Sequence, residues 1–131
     1  NIPIGCSEYG CEALNWHTSD PKQGDYTEEY QAYYHEELIK QLFTREFIWS
    51  THVWNMFDFA ADNRDEGGVK GRNNKGLVTY DRKTKKDSFY LYQAYWRKEP
   101  MLHLAKKRYL YRCEEETEVL FQISVHLKSW V

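Results

Sequence analysis

Glu8 closes the run Ile2-Pro3-Ile4-Gly5-Cys6-Ser7-Glu8-Tyr9-Gly10. Apolar and small residues lead up to one carboxylate, and Gly10 then breaks the pattern. The run predicts a buried strand that delivers Glu8 to its C-terminal end. A carboxylate at the end of an apolar strand is costly unless it is paired or used. By spacing alone, Glu8 caps the next turn or pairs with an arginine, or else it is a reactive group. Two other carboxylates, Glu12 and Glu66, stand in polar loops and carry no comparable setting.

The surrounding pattern predicts an α/β arrangement around that strand. A long polar loop runs from Glu12 to Gly24 and includes Asn15-Trp16-His17-Thr18-Ser19 and the turn signal Asp20-Pro21. A helix should cover Asp25 to Phe43, with Asp25 as its N-cap and Glu28 three residues on. Tyr30, Tyr33, Tyr34, Leu38 and Leu42 recur at helical spacing and should pack on a sheet. Glu28, Glu29, Glu36, Glu37 and Lys40 should form its solvated face, and His35 reads as structural. A strand over Phe47–Met56 follows. In it Ile48, Ser50, His52, Trp54 and Met56 share a face by the period of two. Strand, helix and strand in that order imply parallel pairing through a right-handed crossover.

Residues Asn63 to Asn74 form a glycine- and charge-rich loop whose carboxylate spacing does not suit calcium. Asp87 should cap a second helix, Ser88 to Arg97, with Phe89, Tyr92 and Trp96 on its packing face. Glu99-Pro100 ends it and marks a domain boundary. Lys106–Arg112 and Thr117–Phe121 read as two short strands.

Totals narrow the partners. The chain has 131 residues and a net charge of −2, with no basic stripe, which argues against nucleic acid. Aromatics make up 17%, enough for a heavily packed core or a sugar-facing surface. No apolar run approaches the roughly 20 residues that cross a membrane. The chain begins with Asn, so it is expected to be a piece of a longer protein. Cys6, Cys11 and Cys113 are odd in number and lack metal-type spacing, which suggests reduced thiols in a cytoplasmic protein.

Three ordered words carry a family resemblance. They are Pro3-Ile4-Gly5 with Ser7-Glu8-Tyr9-Gly10, then Val53-Trp54-Asn55-Met56-Phe57-Asp58-Phe59, then Asn73-Asn74-Lys75-Gly76-Leu77-Val78-Thr79-Tyr80-Asp81-Arg82-Lys83. Together they resemble glycoside hydrolase family 2. The resemblance implies that residues 1–99 are the C-terminal portion of a (β/α)8 TIM barrel and that 100–131 begin a following β-sandwich domain. It implies a retaining exo-β-glycosidase with Glu8 as the nucleophile. Tyr9 would hydrogen-bond that nucleophile, although neighbours on a strand point apart unless the strand bends. Trp54 would floor the sugar site, while Asn73 and Lys75 would meet hydroxyls. Trp16 would line the sugar pocket or cover its own loop, and His17 would be solvated. A cis peptide is expected between Trp54 and Asn55. No metal and no cofactor are implied.

The Glu-Gly-Gly and Asn-x-Lys-Gly-Leu-Val words point to β-galactosidase and a β-galactoside substrate. The alternative is β-glucuronidase, whose Asn-Lys-Lys-Gly word meets a sugar carboxylate; here Asn74 removes one of its cations. Cys11 stands where some β-galactosidases place a sugar-binding histidine. The family's acid/base Glu lies in an Asn-Glu pair on an earlier strand, which this chain does not include. The isolated chain is therefore expected to be inactive, with the remainder of a barrel as its partner and a homo-oligomeric parent. A non-catalytic remnant is the competing reading. Past Val119 the pattern departs from the family, and a frameshift near Leu120 is expected.

Overall fold

The structure, a computed structural model, describes residues 2–14, 17 and 26–105. Its elements are β1 (Ile4–Tyr9), α1 (Glu28–Leu42), β2 (Ile48–Val53), β3 (Phe59–Ala60), β4 (Arg72–Asn73) and α2 (Asp87–Trp96). β1 and β2 pair in parallel, and α1 is the connection between them. β3 and β4 make a short antiparallel pair at the base of the glycine-rich loop. The α/β class and the parallel neighbours agree with the sequence expectation, although β2 is shorter than the predicted strand. Strands expected at 106–112 and 117–121, most of the predicted sandwich domain, the frameshift at Leu120, Cys113 and Trp16 lie outside the described residues.

β1 is not the buried strand that its composition suggests. Ile4, Gly5, Ser7 and Glu8 are exposed, Cys6 is half-buried, and only Tyr9 is buried. Among the described residues β1 pairs only with β2. Among the described residues only the helix side of the pair is covered. There Tyr9, Ile39, Leu77, Leu91 and Tyr92 form the core, with Cys6, Tyr34, Leu38, Leu42, Val53, Phe89 and Tyr95 packed around it.

Two helix starts differ from expectation. α1 begins at Glu28, and its cap is Thr27, whose Oγ1 accepts the Tyr30 N–H at 3.2 Å. Acidic residues in the first turn and Lys40 in the last suit the helix dipole. Glu28 and Glu29 were expected outside, yet both are buried. For Glu28 the reason is a polar seam between the helices. Glu28 Oε1 accepts the Asp87 N–H at 2.6 Å, and Ser88 Oγ donates to Gln31 Oε1 at 2.6 Å. The first turn of α2 is thus capped by a side chain from α1. Asp87 itself is the first helical residue and meets His103 Nε2 at 2.8 Å. Buried polar groups need such partners, and here the partners lie 57 to 59 residues away.

Among the described residues, no helix is long and apolar enough to cross a membrane.

Candidate active site

The pairing of β1 with β2 slips where Glu8 sits. Cys6 lies opposite Thr51 and Tyr9 opposite Val53, so β1 spends one residue more than β2 over this interval. An extra residue re-aims side chains and is common beside active sites. Its effect is visible in burial: Cys6 and Tyr9 both meet the helix-side core, and Glu8 is exposed. The bend that the sequence could not supply is therefore present.

It also reassigns Tyr9. Its hydroxyl accepts from Tyr92 Oη at 2.9 Å in the core, and burial pushes its pKa up. The side chain packs the sheet against the helices, on the side away from the open face. That corrects the expectation that Tyr9 bonds the nucleophile or substrate.

Backbone hydrogen bonds gather the other two words at the same end of the sheet. Trp54 N–H donates to Tyr9 O at 2.8 Å, so Trp54 lies beside the end of β1. Gly10 is required there: a Cβ on it would sit 1.8 Å from Trp54 O. The Trp54–Asn55 peptide is cis, as expected. Past it, Asn55 N–H donates to Lys75 O at 3.3 Å and Leu77 N–H to Asn55 O at 3.0 Å. Val78 N–H reaches Met56 O at 3.0 Å, and Asp58 N–H reaches Val78 O at 2.9 Å. Glu8, Trp54 and Lys75 therefore lie on three adjacent backbone segments. Trp54 is 38% exposed and is held edge-on by Phe59 at 5.9 Å, which leaves part of its apolar ring surface open. Such a surface suits the C–H face of a sugar.

Asn73 and Lys75 differ in their freedom. Asn73 is buried, and its Oδ1 accepts the Lys75 N–H at 3.0 Å. It shapes the loop and leaves only its Nδ2 for a ligand. Among the described residues Lys75 Nζ has one ionic contact, 3.4 Å to Glu12 Oε1. It lines a cavity of about 230 Å³ with Gly10, Cys11, Glu12, Tyr26, Arg64 and Glu66. Asn74 turns inward: its Oδ1 accepts the Val69 N–H at 3.1 Å and its own N–H donates to Glu12 Oε2 at 2.7 Å. The middle position of the Asn-x-Lys word thus builds the loop. A neutral residue there takes no cation away from the cavity.

Two residues were missed by sequence reasoning. Glu12 accepts from Arg64 Nη2 at 2.6 Å, and Arg64 Nη2 also meets Glu66 Oε2 at 2.8 Å. Glu12 and Arg64 stand 52 residues apart, and no spacing rule links them. His17 is exposed, as expected. Among the described residues no group of three or more His, Cys, Asp or Glu could hold a metal ion.

Beneath the site lies a buried ion pair. Lys86 Nζ is 2.9 Å from Asp58 Oδ1, and neither side chain is open to solvent. Burial pushes the ammonium below its usual pKa and the carboxyl above its own, and each charge opposes the other's shift.

No protein-family model matches the chain. The chain is 50% identical, over 88% of its length, to a β-glucuronidase of Bacteroides fragilis. Among solved structures, an FMN-binding β-glucuronidase from Faecalibacterium prausnitzii L2-6 matches 77% of this chain at 64% identity and a TM-score of 0.71. A Bacteroides fragilis protein provisionally named β-galactosidase matches 76% at 41% identity and a TM-score of 0.71. Bacteroides uniformis β-glucuronidase 2, solved covalently bound to cyclophellitol-6-carboxylate aziridine, matches 80% at 36% identity and a TM-score of 0.68. The homologues of this chain are thus glycoside hydrolases named as β-glucuronidases or β-galactosidase. The chain spans 18% of the curated relative and 12% to 16% of these three structures.

Proposed function

We propose that this chain is the late part of the catalytic barrel of a retaining exo-β-glycosidase that acts on β-glucuronides. Glu8 is its nucleophile, Trp54 the floor of the sugar site, and Lys75 with Asn73 the group that meets the sugar carboxylate. One observation carries the reading: backbone hydrogen bonds run from Tyr9 to Trp54 and from Asn55 to Lys75, joining the three words at one end of the sheet. The linked segments carry an exposed carboxylate, a partly exposed indole and a cation with spare donors, although the cavity that Lys75 lines includes neither Glu8 nor Trp54.

The chemistry follows from these types. A retaining enzyme needs an ionised carboxylate to attack the anomeric carbon and a second carboxyl, about 5–5.5 Å away, to protonate the leaving oxygen. Glu12 and Glu66 are poor sources of the second group, because both are engaged with Arg64. The acid belongs to a strand outside this chain, so the isolated chain should not turn over a glycoside. Lys75 favours a uronate over a neutral sugar, since a charge-assisted hydrogen bond rewards an anionic C6 group. The covalent carboxylate-bearing ligand of the Bacteroides uniformis relative, and identities of 64% and 50% to two glucuronidases against 41% to the protein named as a β-galactosidase, support the same choice. A β-galactoside is the competing substrate.

The test compares p-nitrophenyl β-D-glucuronide with the matching galactoside on the full-length protein that carries this chain. The glucuronide should be preferred. Lys75→Gln should lower its kcat/KM by about ten- to a hundredfold, the worth of one hydrogen bond to a charged group. Preference for the galactoside, unchanged in Lys75→Gln, would overturn the substrate assignment.

A further inference from the structure

Three loop segments, those after β1, β2 and β4, converge on Lys86. Its side chain is fully buried. Nζ donates to Ala13 O at 2.8 Å, to Asn74 O at 2.9 Å and to Asp58 Oδ1 at 2.9 Å. An ammonium has three N–H donors, and each is spent on a different loop. The same Asp58 oxygen accepts the Gly76 N–H at 2.8 Å, and the Lys86 N–H donates to Leu77 O at 2.8 Å. Gly76 must be bare for this approach, because a Cβ there would lie 2.1 Å from Asp58 N.

Burying a cation this deeply is expensive, and a well-packed apolar side chain in its place is often as stable. What the apolar side chain would lack is a bond to each loop. The bonded positions are informative. Asn74 directly precedes Lys75, and Ala13 directly follows Glu12, which contacts Lys75 Nζ at 3.4 Å. The loop that begins at Gly10 and the loop that carries Lys75 are therefore tied to one point behind the cavity.

We propose that Lys86 is a positioning residue for recognition of the sugar carboxylate, acting by holding Lys75 and Asn73 in register with the loop that follows Glu8. This deepens the glucuronide reading and rests on it. Lys86 touches no substrate. Its contribution is the fixed separation between the nucleophile-bearing strand and the cation.

The experiment uses the full-length protein and p-nitrophenyl β-D-glucuronide. It measures melting temperature, kcat and KM for wild type, Lys86→Met, Lys86→Met with Asp58→Asn, and Lys75→Gln. Lys86→Met alone leaves Asp58 buried and unpaired, so its melting temperature should fall. The double variant removes both charges, while the side-chain amide oxygen introduced by Asp58→Asn can still accept the Gly76 N–H. It should recover most of that loss. Its KM should nevertheless stay raised by about tenfold, with kcat within about threefold of wild type, the pattern of weakened ground-state and transition-state binding alike. A purely structural role gives the opposite split: the active fraction falls and KM does not move. A double variant with restored melting temperature and wild-type KM overturns the proposal. So does one that recovers no folded protein, since Lys86 is then a requirement of folding. A wild type inactive on the glucuronide, or a Lys75→Gln variant with unchanged KM, overturns the substrate reading and the proposal with it.

Discussion

On the helix side of the β1–β2 pair, Tyr9, Ile39, Leu91 and Tyr92 are each less than a tenth exposed, Tyr92 Oη donates to Tyr9 Oη, and Ser88 Oγ donates to Gln31 Oε1 across the two helices. On the other side Glu8 and His52 are exposed and Trp54 is 38% exposed. The same two strands thus carry one face built by close packing and one left open for chemistry. The register slip in β1 is the hinge between these uses. It lets Cys6 and Tyr9 both serve the packed face while Glu8 serves the open one. The carboxylate proposed as nucleophile therefore stands apart from the structural network among the described residues, and substitutions on the two faces should have separable effects.

The largest expected effect is on the open face. In the full-length protein, Glu8→Gln should lower kcat by about 10⁴-fold or more, because the proposed nucleophile of the glycosyl-enzyme step is removed. Its melting temperature should stay within about 2 °C, since no described hydrogen bond or ion pair of the Glu8 side chain is lost. A large drop in stability with this substitution would show that Glu8 belongs to the packed face as well.

Gly10→Ala attacks the seam. The added Cβ would lie 1.8 Å from Trp54 O, and a backbone carbonyl cannot swing aside as a side chain can. Overpacking of this kind costs about 3 kcal/mol. Both readouts should fall together: thermal stability, and turnover through displaced Trp54. Loss of one without the other would mean that the two faces meet somewhere else.

The packed face has a pH signature. His35 is fully buried, and burial pulls its pKa down to about 4 from an ordinary 6.5. If Tyr92 donates to Tyr9, then His35 Nδ1–H donates to Tyr92 Oη at 2.8 Å, and Nε2 has no hydrogen-bond partner among the described residues. Protonating that nitrogen would bury an uncompensated charge. Between pH 4 and 6.5 the unfolded chain binds the proton and the folded chain does not. Stability contributed by neutral His35 is therefore complete above about pH 6.5 and is lost as pH falls toward 4, by about 3 kcal/mol in all. Melting temperature measured across that range should fall accordingly, and His35→Gln should flatten the slope. An equally steep slope in the variant would assign the pH dependence to other groups.

How much of this was legible in the sequence depends on the distance between the interacting groups. The strand–helix–strand order and the cis peptide after Trp54 came from local pattern and from ordered words, and the backbone segments of those words do lie side by side. The burial of Glu28 and Glu29 did not, because their charges read as a solvent face and the donor that Glu28 meets, the Asp87 N–H, lies 59 residues on. Lys86 was invisible for the same reason: a lysine in Lys83-Thr84-Lys85-Lys86 looks solvated until its three acceptors are seen. The role expected for Tyr9 failed on a local feature, the register slip, which alternation rules do not anticipate. The exposure of β1 was misread because apolar composition records which surface a strand can bury, while its neighbour here is β2 alone among the described residues.

The smallest expected effect is the sharpest on separability. Tyr92→Phe removes one oxygen and keeps the ring, which stands edge-on to His35 at 5.3 Å and packs on Trp96 at 4.9 Å. Two bonds are lost, the contact from His35 Nδ1 at 2.8 Å and the donation to Tyr9 Oη at 2.9 Å. Both partners are buried, so the cost should be about 1–2 kcal/mol of stability, read as a lower melting temperature. Turnover of the glucuronide below that temperature should stay within about twofold, because Tyr9 faces the core and Glu8 the open side. A tenfold fall in kcat at unchanged stability would contradict this. It would mean that the Tyr92–Tyr9 bond sets the slip in β1, and that the packed face aims the nucleophile after all.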